Sequence, residues 1–307
     1  RLPSSACVQR FRNHLYKQFL MISTSTRLAT VMAVAALLVT GCDTIDDPIV
    51  PLTINYNGEA PAPEFEAMTT GPQHVLLEDF TAHLCGNCPP AGELATQLAE
   101  EHDGLVHLLA IHAGSLAAVS NAPFDTDWTN PESNFYWDQL DVQANPMGRV
   151  NRRGGPGAVV SPNNWTNTVN AELALTPPAH LQGAAIPDPS AADNVHLHVH
   201  ATFAETIQGD VRLALLISEN NLIAAQLDYG NDPEVIPDFE HNHLLRGSLS
   251  GADGLVVTTN PTAGSTIQED YTIQWDPEWV QENSHVLAVL TNANGEVLNC
   301  LDLPWTP

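Results

Sequence analysis

Apolar positions along this chain fall into two textures, and the change comes near residue 178. In the first, short apolar runs alternate with stretches of helical spacing. Val75-Leu76-Leu77 reads as a buried strand entering an acidic pair, Glu78-Asp79. From Pro89 the spacing turns helical, with Ala91, Leu94, Ala95 and Leu98 sharing a face. Leu105 to Ile111 is a second buried strand. Helices are expected near Glu132–Leu140 and from Asn164 to Leu175, the latter closed by Pro177-Pro178. Another strand follows Pro146, and Arg152-Arg153-Gly154-Gly155 reads as a turn.

The second texture is made of strands. Asn194 to Phe203 alternates, with Val195, Leu197, Val199, Ala201 and Phe203 on one face and His196, His198 and His200 on the other. Further strands are expected at Arg212–Ser218, Leu222–Gln226, His243–Leu249, Tyr271–Trp275, Val286–Leu290 and Glu296–Leu301. Asn292-Ala293-Asn294-Gly295 is a hairpin signal between the last two. This density of short strands predicts an immunoglobulin-like β-sandwich. No internal repeat is apparent.

The N-terminal region follows neither pattern. Met21 to Arg27 forms a short n-region with one positive charge, and Leu28 to Val39 is mostly apolar. This is the layout of a secretory signal, too short for a spanning helix. Val39-Thr40-Gly41-Cys42 resembles a bacterial lipobox, which implies that Cys42 is the acylated first residue of the mature protein. Ordinary cleavage beside an incidental Cys is the alternative. Residues 1–20, with Cys7, read as translated upstream sequence. Asp43 to about Pro72, rich in Pro, Asp and Glu, reads as a tether.

Length and charge narrow the picture. A chain of 307 residues suits two domains, and 43% apolar against 15% charged residues excludes global disorder. Five of the ten basic residues precede residue 43. Arg149, Arg152, Arg153, Arg212 and Arg246 then stand against all 36 acidic residues, with no Lys, a formal charge of about −31. Such a field disfavours nucleic acid and anionic lipid surfaces as partners. It reads as a surface adapted to high salt, which screens the self-repulsion, or alternatively as one built for cations or a basic partner.

Candidate chemistry centres on Cys85-Gly86-Asn87-Cys88, between the first strand and the first helix. A C-x-x-C in that setting is a redox arrangement. The positive end of the helix dipole lowers the pKa of the first thiol, Cys85, and Cys88 is close enough to close the ring. His83 could stabilise a thiolate when protonated. Cys300, on an expected terminal strand, reads as a buried inert thiol. His196, His198 and His200, and likewise His241 and His243, project together as metal ligands would, but a solvated polar face is the default. Asp125, Asp127, Glu240 and Asp253 offer oxygens for Ca²⁺ without a recognised calcium loop. No nucleophile elbow, phosphate-binding Gly loop or zinc-protease helix is present.

The stretch His74 to Cys88 resembles the strand–loop–helix of thioredoxins. The resemblance implies that Asp79 is the buried carboxylate that handles the proton. It also implies that Cys85 and Cys88 are the two thiols, and that Pro146 in Asn145-Pro146-Met147 is the cis-proline beside them. Leu84 and Asn87 stand where that family carries Trp and Pro, and the Lys that partners the Asp is missing. The wider layout is a lipobox, an acidic tether, EDFTAHLCGNCP, then His241-Asn242-His243-Leu244-Leu245-Arg246. It is similar to the twenty-eight-kilodalton outer-membrane protein family, exported lipoproteins with a thioredoxin-like and an immunoglobulin-like half. That similarity implies an α/β thioredoxin-like domain over 73–178 and an all-β sandwich over 179–307, after a signal at 21–41 and a lipidated tether at 42–72. It also implies an envelope location, on the outer membrane. Two functions remain open: thiol–disulfide exchange with exported proteins and an unidentified redox partner, using no cofactor beyond the disulfide, or a non-catalytic scaffold whose disulfide is a staple.

Overall fold

The computed structural model describes residues 56–306. The expected upstream segment with Cys7, the signal, Cys42 and the first part of the tether lie outside them. Among the described residues, no helix is long and apolar enough to cross a membrane.

The first apolar run forms strand β1 (Val75–Thr81), which leads through the C-x-x-C into helix α1 (Cys88–Glu101). Pro89 and Pro90 occupy the start of α1, where a missing N–H costs no hydrogen bond. β2 (Val106–His112) pairs parallel to β1, and β3 (Met147–Val150) pairs antiparallel on its other side. Helix α2 (Pro131–Gln139) begins at a capping box in which Asn130 and Ser133 satisfy each other's backbone N–H groups. Helix α3 (Pro162–Leu173) closes this part. Because side chains alternate along a strand, β1 serves two cores. Val75 and Leu77 pack with Ala91, Ala95 and Leu98 of α1 and Trp165 of α3. Leu76 and Phe80 pack with Leu109, Ile111 and Tyr136 on the α2 side.

The remainder is mostly β. β4 (Ala179–Pro187), β5 (Asn194–Phe203) and β11 (Thr266–Gln274) form one sheet with β5 central. A second sheet contains β6 (Asp210–Glu219), β9 (Leu244–Ser248), β12 (Ser284–Thr291) and β13 (Val297–Asp302), with β10 (Leu255–Thr259) also on β6. The two sheets bury a common core of Val195, Leu197, Val199 and Phe203 against Leu213, Leu215, Ile217 and Val286. β7 (Leu222–Leu227) and β8 (Val235–His241) make a separate two-stranded ribbon.

The sequence divides the chain at residue 178, but the second sheet runs on across that point. Its strand order is β13-β12-β6-β9-β2-β1-β3. The junction is narrow: Ala110 of β2 pairs with Leu244 of β9, and the Ala110 N–H donates to the His243 carbonyl at 2.7 Å. β6 and β12 are buried on both faces, since Ala214, Leu216, Leu287 and Val289 join the α2-side core.

Residues 56–72, expected as tether, run across the histidine face of β5. Tyr56 packs edge-on to His196 and His198, and Phe65 stacks on His200. The face is therefore buried rather than solvated. His198 Nδ1 lies 2.7 Å from Asp270 Oδ1, and His196 Nε2 lies 3.2 Å from Asp188 Oδ2. Among the described residues no three His, Cys, Asp or Glu side chains are grouped so as to hold a metal ion.

All five arginines of the described residues are engaged internally. Arg152 Nε and Nη2 donate to Glu78 Oε1 at 2.9 and 2.6 Å, and its guanidinium lies 4.5 Å over the Tyr136 ring. Arg149 donates to the Gly155 and Arg153 carbonyls, Arg153 pairs with Glu172, Arg246 with Glu219, and Arg212 donates to the Gly254 carbonyl. Glu78 is fully buried. Arg152→Ala therefore leaves a buried carboxylate without its cation and is expected to cost about 3–5 kcal/mol in urea unfolding. The paired change Glu78→Leu with Arg152→Met is expected to recover most of that loss.

Candidate functional site

The site sits where β1 ends and α1 begins. Cys85 and Cys88 form a disulfide with Cα atoms 5.3 Å apart. The loop is a tight turn, with the Cys85 N–H donating to the Ala82 carbonyl and the Cys88 N–H to the Cys85 carbonyl, each at 3.0 Å. Asn87 is the helix N-cap but makes no side-chain capping bond. The Asn145-Pro146 bond is cis, and Asn145 Nδ2 donates to the Thr81 carbonyl at 3.0 Å, which holds the Pro146 turn against the end of β1.

Asp79 faces the α1 side of the sheet, one residue along from Glu78 and on the opposite face. It lines a cavity of about 340 Å³ together with Cys88, Thr81, Leu108, His112 and His241. Asp79 is 6% exposed, and its Oδ1 has no hydrogen-bond partner among the described residues. Burial, with no cation at hand, raises its pKa to about 7. A carboxyl group that changes protonation near neutrality thus shares a cavity with the second cysteine.

Three histidines that sequence alone leaves scattered converge here. The His83 ring centroid lies 6.4 Å from that of His112, and His112 lies 5.4 Å from His241. Burial lowers the pKa of all three, that of His241 to about 4. His83 stacks on Phe124, and its Nε2 lies 3.2 Å from the Ala118 carbonyl. Burial of the His83 ring works against the protonated form that stabilising a thiolate requires.

The ribbon β7–β8 covers the disulfide. The Leu227 N–H donates to the His83 carbonyl at 2.9 Å, and the Tyr229 N–H to the Gly86 carbonyl at 2.8 Å. Gln226 Nε2 reaches the Ala82 and Cys85 carbonyls at 3.3 and 3.2 Å. Tyr229 lies so close over Gly86 that a Cβ there would come within 2.6 Å of the ring. With Ala82 and Ala117 packed on the pair as well, Cys85 and Cys88 are only 3% and 2% exposed. Gln226 and Tyr229 carry no local sequence signal, because their partners lie about 140 residues earlier. Cys300 is buried, and burial raises its thiol pKa well above the usual range.

The sequence profile of the family described as outer membrane protein Omp28 matches residues 133–302, more than half of the chain. This chain belongs to the Omp28 family. Membership points to the outer membrane or envelope. Among solved structures, the Omp28 chain is similar to HBP35 of Porphyromonas gingivalis, with a TM-score of 0.58 and 20% identity over 75% of this chain and 74% of that one. A crystallised protein of Agrobacterium tumefaciens aligns over 78% of this chain and 96% of its own, at 15% identity and a TM-score of 0.47. No curated protein matches. The family match begins at Ser133, beyond the disulfide, so it covers the residues that cap the site and not the C-x-x-C itself.

The state of Asp79 is measurable through stability. Its folded pKa of about 7 lies above the unfolded carboxyl value, so its contribution is complete below about pH 4 and is lost as pH rises through 7. Asp79→Asn is expected to gain on the native protein by up to about 4 kcal/mol between pH 4 and pH 8. Paired urea melts of both proteins at those two pH values check this. Equal differences at both pH values would mean that Asp79 ionises normally.

Proposed function

We propose that this Omp28-family chain is an envelope lipoprotein whose Cys85–Cys88 pair exchanges disulfides with exported proteins. In this reading 73–178 is a thioredoxin-like half, 179–307 an immunoglobulin-like half, and Cys42 the lipid attachment. The observation that carries it is the shared cavity of Cys88 and a buried, unpartnered Asp79.

With the pair oxidised, a thiolate of an exported protein attacks Sγ of Cys85 and expels Cys88 as the thiolate. Asp79, protonated below about pH 7, supplies its proton. A second substrate thiolate then attacks the substrate sulfur of the mixed disulfide and releases Cys85. The substrate loses two electrons and the pair gains them. In reverse, the Cys85 thiolate attacks a substrate disulfide, and Cys88 resolves the intermediate while its proton passes to Asp79. A partner of dithiol or disulfide type resets the pair in either direction.

One observation favours the second reading, a structural staple: both cysteines are buried beneath β7–β8. Equilibration in glutathione buffers at high salt, followed by alkylation and mass spectrometry, separates the two. Exchange requires a potential between about −270 and −120 mV, with Cys85 alkylated before Cys88. A potential below about −300 mV would establish the staple. Asp79→Asn is expected to slow resolution of a Cys85 mixed disulfide by about a hundredfold at pH 7, read by rapid quench.

A further inference from the structure

We propose that the Gln226–Tyr229 segment is an internal occupant of the edge on which the redox loop docks an extended polypeptide. Before that partner can reach Cys85, the β7–β8 ribbon must lift. This inference rests on the exchange reading above and adds to it the form of the substrate and the device that withholds the disulfide.

Residues 227 and 229 are two apart, and both point their N–H groups at the loop, one at the His83 carbonyl and one at the Gly86 carbonyl. Two donors at that spacing on one edge are what any extended chain presents. The two carbonyls belong to a turn, and they read backbone and not a particular side chain, as main-chain bonds do in the capture of extended peptides. What is particular to the internal occupant is its side chains. Gln226 Nε2 is shared among the carbonyls of Ala82, Cys85 and Leu227, and Tyr229 lies on the bare backbone of Gly86. These two contacts act as the latch.

The setting fits an apolar polypeptide. On the same loop the Leu84 N–H donates to the Leu116 carbonyl at 3.2 Å. Leu116 and Val119 of that neighbouring segment are exposed, as is Tyr229 at 58%. Three of the seven exposed large apolar side chains among the described residues, Leu116, Val119 and Tyr229, belong to segments that hydrogen-bond to the redox loop. The ribbon stands apart from the two larger sheets. β7 and β8 pair only with each other, and their tip is closed by its own bonds, Asp228 N–H to the Glu234 carbonyl and Gly230 N–H to Asp228 Oδ1. Opening it breaks the loop contacts of Gln226, Leu227 and Tyr229 first, while Ala225 and His241, which packs on His112 and Trp128, hold the base of the ribbon.

The test compares the oxidised full chain with Tyr229→Ala and Gln226→Ala, at high salt. Each is reacted with dithiothreitol and with a reduced, unfolded polypeptide, and the thiols are trapped by alkylation. Each variant is expected to react about tenfold faster with dithiothreitol, as loss of one or two closing contacts implies, with an unchanged reduction potential. With the polypeptide the acceleration is expected to be larger still, because the vacated edge binds it. Equal rates for native and variant proteins would show that the ribbon is no latch. Equal acceleration with both reagents would leave a steric cover and overturn the docking edge. If the polypeptide exchanges with none of the proteins, the exchange reading itself fails and the docking edge with it, while the dithiothreitol rates still judge the latch. Tyr229 is exposed, so its truncation leaves the core intact, and an unchanged thermal melt verifies that.

Discussion

Strand β1 buries two consecutive carboxylates, and much of the molecule is arranged around that fact. The pleat sends Glu78 and Asp79 to opposite faces, and neither is more than 6% exposed. A buried carboxylate is either paired or protonated. The described residues hold five cations, all arginines. Arg152 neutralises Glu78 and lies over Tyr136, tying β1, the turn after β3 and helix α2 into one core. Nothing comparable reaches Asp79, so its pKa climbs to about 7. Two side chains of nearly the same chemistry thus serve different ends. Glu78 is a structural anion. Asp79 has no such cation, and burial pushes its carboxyl toward the protonated form; only the face of the strand distinguishes them.

The two faces of β1 also explain why the halves cannot be read apart. On the α2 side, Leu76 and Phe80 share a core with Ala214, Leu216, Leu287 and Val289, so strands of the β half form a wall of the α/β half. On the α1 side, the chain entering β9 brings His241, Asn242 and His243 to the cavity below the disulfide. The ribbon between β6 and β9 then covers the disulfide itself. Ala110 and Leu244 are the strand pair at the junction among the described residues, and the ribbon joins Ala82 and Ala117 in shielding the cysteines. The family profile, which begins beyond the C-x-x-C, includes this covering machinery.

What the sequence made legible was local. The strand–disulfide–helix order, the α1 face of Ala91, Ala95 and Leu98, the turn at Pro146 and the alternation of β5 all depend on residues near one another. β8 was missed because Pro237 lies within it. The ribbon accommodates a residue with no N–H where its register shifts, between Ala224 and Gln226. The histidine face of β5 read as solvated because its cover, Tyr56 and Phe65, comes from more than 130 residues earlier. The convergence of His83, His112 and His241 and the contact of Tyr229 with Gly86 are long-range as well. Gly86 alone hinted at the latter: its missing Cβ is the space that the Tyr229 ring fills.

Electrostatics around the cysteines favours the bonded pair. Burial disfavours the protonated form of the neighbouring histidines, the arginines of the described residues are committed elsewhere, and Asn87 adds no capping bond. A Cys85 thiolate would draw on the α1 dipole alone, within a protein whose overall field is strongly negative. Stabilising the thiolate is what makes a disulfide oxidising, and little here does so. Salt screens the outer carboxylates but not a pair sealed beneath a ribbon. The acidic surface bears on solubility and approach, whereas the setting of the disulfide is local: the helix end, the buried Asp79 carboxyl beside Cys88, and the Tyr229 ring on Gly86.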